Sequence, residues 1–175
     1  LEDSVSNFDE KHVNVYIKVD EGKRYFIRNI NWVGNTVYAT DYLNAVLGMK
    51  KGDVYNQKLL GKRLQEDEDA VGNLYYNNGY VFSNINPAEV NIDGDSIDLE
   101  MRVTEGPQAY LSHVRINGNT RLYENVVRRE LRTKPGDLFS KDALMRSARE
   151  LASMGHFDAE KVSPDVKPNY EDGTV

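Results

Sequence analysis

The chain is written twice. Gly34 and Gly118 sit in matching phrases, "WVGNTVYATDYL" and "RINGNTRLYENV", 84 positions apart. The same offset sets Val13, Val15, Ile17 and Val19 on Ile97, Leu99, Met101 and Val103, and Glu21-Gly22 on Glu105-Gly106. It also sets Ile30 and Trp32 on Val114 and Ile116, Leu43 and Leu47 on Val127 and Leu131, Gly52-Asp53 on Gly136-Asp137, and Tyr55 on Phe139. Agreement across core, turn and cap positions constrains the fold more than any single motif. Whatever one half folds into, the other must approximate. The period is that of a small domain and is too long for a solenoid repeat. Further on, "YYNNGYVF" (Tyr75–Phe82) answers "LASMGHFD" (Leu151–Asp158), with Gly79 and Gly155 only 76 positions apart. The second copy is therefore eight residues shorter before this glycine, about two helical turns.

One unit can be read from its patterning. Phe26 to Val33 alternate as a strand. Asn-Gly at Asn117-Gly118 would by itself suggest a hairpin turn, but its twin at Gly34 is followed by a helical stripe of Tyr42, Leu43, Val46 and Leu47, with Thr40 as the expected N-cap. Both glycines are thus strand-to-helix corners. Asn56 should cap a second helix carrying Leu60, Leu64, Val71, Leu74 and Tyr75, closed at Asn78-Gly79. Val81 to Ile92 read as a strand broken by Pro87, which belongs at a sheet edge because proline has no N–H to give. "DGDS" (Asp93–Ser96) is a hairpin turn, and Ile97 to Val103 are the last strand. The second copy repeats this order: strand Tyr110–Asn117, helix Glu124–Arg132, turn "KPGD", Ser140-capped helix Lys141–Met154, strand Ala159–Lys167 and a turn at "EDGT". Its final strand is missing. The opening "HVNVYIKVDEG" is the final strand of a preceding unit.

The expected architecture is α+β: tandem β-α-α-β-β domains, each a small three-stranded mixed sheet covered by two helices. Residues 1–20 carry a trailing strand, 21–104 a complete unit, and 105–175 a unit without its last strand. The spare strand Val13–Val19 is expected to pair with an exposed sheet edge, of this or another molecule. "TEGPQ", with Glu105, Gly106 and Pro107, is the expected hinge.

A net charge of -6 gives no electrostatic support to a nucleic-acid partner. No apolar run reaches membrane-helix length, and the polar, acidic start "LEDSVSNFDE" carries no export signal; a processed or excised fragment would look the same. The absence of cysteine excludes disulfides and thiol catalysis. His12, His113 and His156 lie on different elements, and a metal site needs convergent ligands. "QEDEDA" reads as a solvated helix face, and "NIDGDSID" lacks the spacing of a calcium loop. "LLGKR" lacks the first glycine and the Ser/Thr of a phosphate loop, and Ser4, Ser6, Ser112 and Ser147 have no nucleophile-elbow context. No catalytic group, cofactor or metal is expected, against the alternative of an unrecognised hydrolase. Tyr75, Tyr76, Tyr80 and Phe82 divide between core and exposed contacts. Arg121, Arg128, Arg129, Arg132 and Lys134 surround one helix. They read either as i,i+4 and helix-end charges or as a dock for an acidic partner or anionic headgroups.

Tandem β-α-α-β-β units with "EG" at the junction, "GN" after the first strand and "GD" between the helices resemble POTRA domains, the repeats of outer-membrane β-barrel assembly proteins of the BamA family. "YNNGYVFSNINPAEV" looks like the fourth repeat of that family, and "VRRELRTKPGDLFSKDALMRSARELASMGHFDAEKV" like the fifth. The resemblance implies a non-catalytic scaffold on the periplasmic face of the bacterial outer membrane. Its partners would be unfolded outer-membrane proteins, accessory assembly lipoproteins and a membrane barrel. Clients would add to free strand edges, at Ile85, Glu89, Val90, Asn91 and Ile92 and at Lys161, Val162, Asp165 and Val166. Accessory proteins would dock on Arg121, Arg128, Arg129 and Arg132. The alternative is a rigid spacer or docking arm, or the POTRA region of a related two-partner or autotransporter-assembly transporter.

Overall fold

The computed structural model describes residues 2–7, 13–18, 23–119 and 122–175. Two strands, β1 (Glu2–Asn7) and β2 (Val13–Lys18), form an antiparallel hairpin. Among the described residues the spare strand pairs with its chain neighbour and with no open edge of either unit. A short connection closes at little entropic cost. Val15, Tyr16 and Ile17 on β2 remain exposed.

The first unit runs β3 (Phe26–Val33), α1 (Thr40–Leu47), α2 (Gln57–Gly61), a π-helical turn (Lys62–Glu66), α3 (Val71–Asn77), β4 (Asn84–Asp93) and β5 (Ser96–Thr104). The sheet order is β3-β5-β4. The last strand of the unit is therefore the central one, parallel to β3 and antiparallel to β4. Parallel neighbours need a crossover, and the helices supply it. Alternation, shifted by a bulge between Ile27 and Asn29, places Ile27, Trp32, Ile97, Leu99, Met101 and Val103 on one face, where Leu43, Leu47, Leu60, Leu64, Val71 and Tyr75 cover them. The other face is polar, with Arg28 gripping Asp98 through two bonds, Nε at 2.9 Å and Nη2 at 2.5 Å.

Two local expectations are corrected. Ala39, not Thr40, is the N-cap of α1, and the Asn35 amide secures the corner by donating to the Tyr38 carbonyl at 2.9 Å. The long helix after Asn56 is broken: Arg63 donates to Asp69 at 2.8 Å and to the Leu47 carbonyl at 3.0 Å, holding a bend at Asp67–Ala70. In the second unit a single helix, α5 (Lys141–Ser153), takes the place of residues 57–77. The eight-residue difference between the copies is this π-turn and bend.

The second unit opens with α4 (Glu124–Arg129), which ends three residues before the expected Arg132, with Glu130 at its C-cap. Neither expected strand forms. Tyr110–Asn117 makes only isolated bridges, and Ala159–Lys161 is a 3₁₀ turn. The cause lies in the strand order. In the first unit β5 is the shared ladder of both other strands, and among the described residues of the second unit no strand plays its part. Without it their backbone groups have no partner, and Pro164 and Pro168 remove two donors more. The alternation survives: Leu111, Val114 and Ile116 are more buried than their neighbours, as are Val162, Pro164, Val166 and Pro168. Residues 174 and 175 pair as the start of β5 does. Thr174 bridges Tyr110 in parallel, as Ser96 pairs with Phe26, and the Val175 amide donates to the Tyr110 carbonyl at 2.9 Å.

The loops reproduce the repeat hydrogen bond for hydrogen bond. Gly52 N donates to Ile27 O at 2.7 Å, and Gly136 N to Leu111 O at 2.7 Å. Lys50 N donates to Asp53 Oδ2 at 2.8 Å, and Lys134 N to Asp137 Oδ2 at 2.8 Å. Asn56 and Ser140 each cap the helix that follows.

Candidate functional site

The candidate client edge is β4. It carries Pro87, lies at the sheet margin and exposes eight of its ten residues, all but Ile85 and Ala88. The opposite margin, β3, is partly occupied. The Ile27 amide donates to Asp53 O at 2.9 Å, and the Tyr55 amide to Tyr25 O at 2.8 Å. Among the described residues no backbone group outside the sheet bonds to β4. Of the edge residues expected from sequence, Ile85 points into the core, Glu89 accepts from the Tyr55 hydroxyl at 2.7 Å, and Val90 is the extra residue of a bulge that shifts the register before Asn91 and Ile92. Burial and the Glu89 carboxylate push the Tyr55 phenol well above the usual tyrosine range. The bulge restricts regular outward pairing to Asn84–Glu89.

Two separate notches, taken together as a trough, lie beside this edge, between β4 and the helices. One notch of about 310 Å³ is lined by Tyr55, Leu60, Gly61, Pro87, Glu89 and Leu99. A second, of about 280 Å³, is lined by Gln65, Asn73, Tyr76, Ser83, Asn84 and Lys141. The second expected edge, with Lys161, Val162, Asp165 and Val166, presents no strand. Val166 instead packs towards the small core of Val81, Ala109, Leu111 and Phe139 that joins the units.

The expected hinge is a crowded joint. Glu105 accepts from the Thr36 and Val37 amides at 2.8 and 2.9 Å, from the Thr36 hydroxyl, and from the Tyr75 hydroxyl at 3.2 Å. Burial pushes its carboxyl up, but these donors outweigh it and hold the group below the usual carboxylate range. Gly106 has φ +67°, and Pro107 follows it. Across the joint Ala109 N donates to Gly79 O at 2.8 Å, Lys141 Nζ to Asn73 Oδ1 at 2.7 Å, and Asp142 N to Asn77 Oδ1 at 2.8 Å. A Cβ on Gly79 would stand 2.6 Å from the Leu138 side chain, so this glycine (φ +81°) serves the joint as well as the end of α3.

Each described arginine of the basic cluster has a carboxylate. Arg128 pairs with Glu124, Arg129 with Glu130 at 3.2 Å, and Arg132 with Glu150 at 2.8 Å. Arg121 and His12 lie outside the described residues. Ser147 is buried, donating to Ala143 O at 2.9 Å and accepting from Arg132 N at 2.8 Å. Tyr75 is fully buried in edge-on contact with Tyr38 and Tyr80, whereas Tyr76 and Phe82 pack at the joint. Sequence reasoning missed Gly61 and Lys141. A glycine inside a helical stripe was the available signal for the first.

Comparison with known proteins agrees with this architecture. The family model for POTRA, the surface antigen variable number repeat, matches residues 25–106 and again 109–175. The outer membrane protein assembly factor BamA of Nitratidesulfovibrio vulgaris is 26% identical over 170 residues, covering 97% of this chain and 21% of that protein. BamA of Neisseria meningitidis serogroup B is 27% identical over 158 residues, covering 89% and 19%. The chain thus spans about a fifth of the length of these relatives. Among solved structures, Haemophilus influenzae BamA POTRA3-5 superposes with a TM-score of 0.69 at 23% identity, covering 90% of this chain and 61% of that one. The chain belongs to the POTRA family, as two successive repeats of the kind found in BamA-type outer-membrane assembly proteins.

Proposed function

We propose that this chain is a periplasmic scaffold of an outer-membrane protein assembly machine, corresponding to the fourth and fifth repeats, and that it receives unfolded barrel strands along the outer edge of β4. In this reading residues 1–20 trail a preceding unit, and units follow at 21–104 and 105–175. The observation that carries the reading is the bare backbone of β4, which offers C=O groups, and N–H groups except at Pro87, to any extended chain whatever its sequence. A receptor of many clients needs that indifference. The test is photo-crosslinking with an unfolded barrel protein from a photoreactive residue at Asn86 or Val90, against Asp41 on the surface of α1. Adducts should concentrate at β4; equal yields at all three positions would sink the reading.

A second reading, a docking arm, is favoured by the fixed joint at Glu105. Accessory lipoproteins would then meet the α4 face, where the Arg129 side chain is 77% exposed. Charge reversal at Arg128 and Arg129 should abolish accessory-protein capture and leave β4 crosslinks unchanged.

A further inference from the structure

Gly61 is an unfavourable choice for its place. It sits between α2 and the π-helical turn, and glycine inside a helix costs about 1 kcal/mol relative to alanine. Packing does not demand it, since an added Cβ meets no atom within 4 Å. What its missing side chain does is leave open the notch against Pro87 and Glu89. The π-turn that follows is itself a geometry frequent at functional sites. The second notch opens beside Asn84 and Ile85, four residues back along the same strand from Ala88 and Glu89 of the first. Residues i and i+4 of a strand share a face and lie about 13 Å apart. One strand added to β4 would therefore face both notches with side chains four residues apart.

The two notches differ in chemistry. Leu60, Pro87 and Leu99 give the first an apolar floor, with the Glu89 carboxylate at its rim. The second holds the Lys141 ammonium, positioned by Asn73 Oδ1, and among the described residues no carboxylate pairs with it. An acidic side chain is repelled at one end and attracted at the other.

We propose that the trough reads the register and direction of the strand added to β4, taking a large apolar side chain at the Gly61 notch and, four residues away, an acidic side chain at Lys141. The inference rests on the strand-addition reading above and adds a preference to it. Alternation of apolar and polar positions alone would not satisfy the trough. The client segment needs an aromatic or aliphatic residue and a carboxylate on the same face.

The test uses fluorescent ten-residue peptides of alternating Thr and Val, carrying Phe at one position and Glu four residues away, in both orders. Control peptides have Phe replaced by Ala or Glu by Gln. Affinity is read by anisotropy, and the site by amide exchange of β4. One order of the Phe/Glu peptide should bind about tenfold more tightly than its Ala control. Gly61→Leu should erase that difference. Lys141→Met should erase the Glu-over-Gln preference alone. Thermal unfolding checks that both variants fold. If all peptides protect β4 equally, the inference fails and strand addition stands. If none protects β4, strand addition fails and takes the inference with it.

Discussion

The two units share their loops and differ in their sheets. Around Gly52 and Gly136 the same donors reach the same acceptors at matching distances, yet only the first unit has a ladder. The difference teaches which parts of this fold are local. The corner, cap and interhelix turn are closed by bonds within a few residues or to the start of the first strand, and they form in both copies. The sheet depends on β5, which arrives last in sequence and sits in the middle. One element thus serves as partner to both others, and where the described residues hold no counterpart of it the alternation is present without a ladder.

The comparison is sharpened most by supplying the missing element. Appending the sequence of Ile97–Thr104 after Val175 should continue the parallel pairing that Thr174 begins with Tyr110. The amides of residues 111–117 and 162–167 should then gain orders of magnitude of protection from hydrogen exchange. Unchanged exchange would mean that the second unit lacks more than a central strand. The converse experiment is Leu99→Asp, which puts an unpaired charge at a site 1% exposed in β5. It should cost more than about 4 kcal/mol and melt the first unit's sheet, seen as loss of strand signal in circular dichroism.

Gly34 and Gly118 make a matched pair. Their φ angles are +88° and +83°. A Cβ at Gly34 would stand 2.2 Å from the Val103 carbonyl oxygen, whereas at Gly118 nothing lies within 4 Å. Gly118→Ala should cost only the left-handed backbone, about 1–2 kcal/mol. Gly34→Ala must also displace β5 and should cost about 2 kcal/mol more. Equal losses in chemical denaturation would show that the corner does not press on the central strand.

Acid should weaken the first unit through two carboxylates. Hydrogen bonding to Arg28 lowers Asp98 from its ordinary 3.8 to about 2. The donors around Glu105 likewise hold it below its ordinary 4.5. Folded values below unfolded ones mean that the stabilisation is present above about pH 5 and is lost as pH falls, for Asp98 between 3.8 and about 2. Glu105→Gln should lower the melting temperature at pH 7 and make the remaining drop towards pH 3.5 shallower. A variant with the wild-type pH slope would remove Glu105 from the joint. The smallest effect is expected at Arg128, whose partner Glu124 is exposed: Arg128→Ala should leave the melting temperature within about 1 °C.

Sequence alone determined the repeat, because an 84-residue echo of Gly34 in Gly118 needs no coordinates to be seen. It also determined what is local: the Asn56 and Ser140 caps, the glycine turns, and an edge place for the proline-bearing strand. These follow from φ restrictions and missing donors that belong to single residues. Tertiary structure decided the rest. No periodicity distinguishes a central strand from an edge one, so the consequence of the missing β5 counterpart appeared only with the strand order. The break at Asp67–Ala70 depends on Arg63 reaching the Leu47 carbonyl, and the crowding of the junction on Thr36 and Tyr75 converging on Glu105 from far along the chain. The trough beside β4 is likewise made by what Gly61 leaves empty, a property of the space between elements that no stretch of sequence contains.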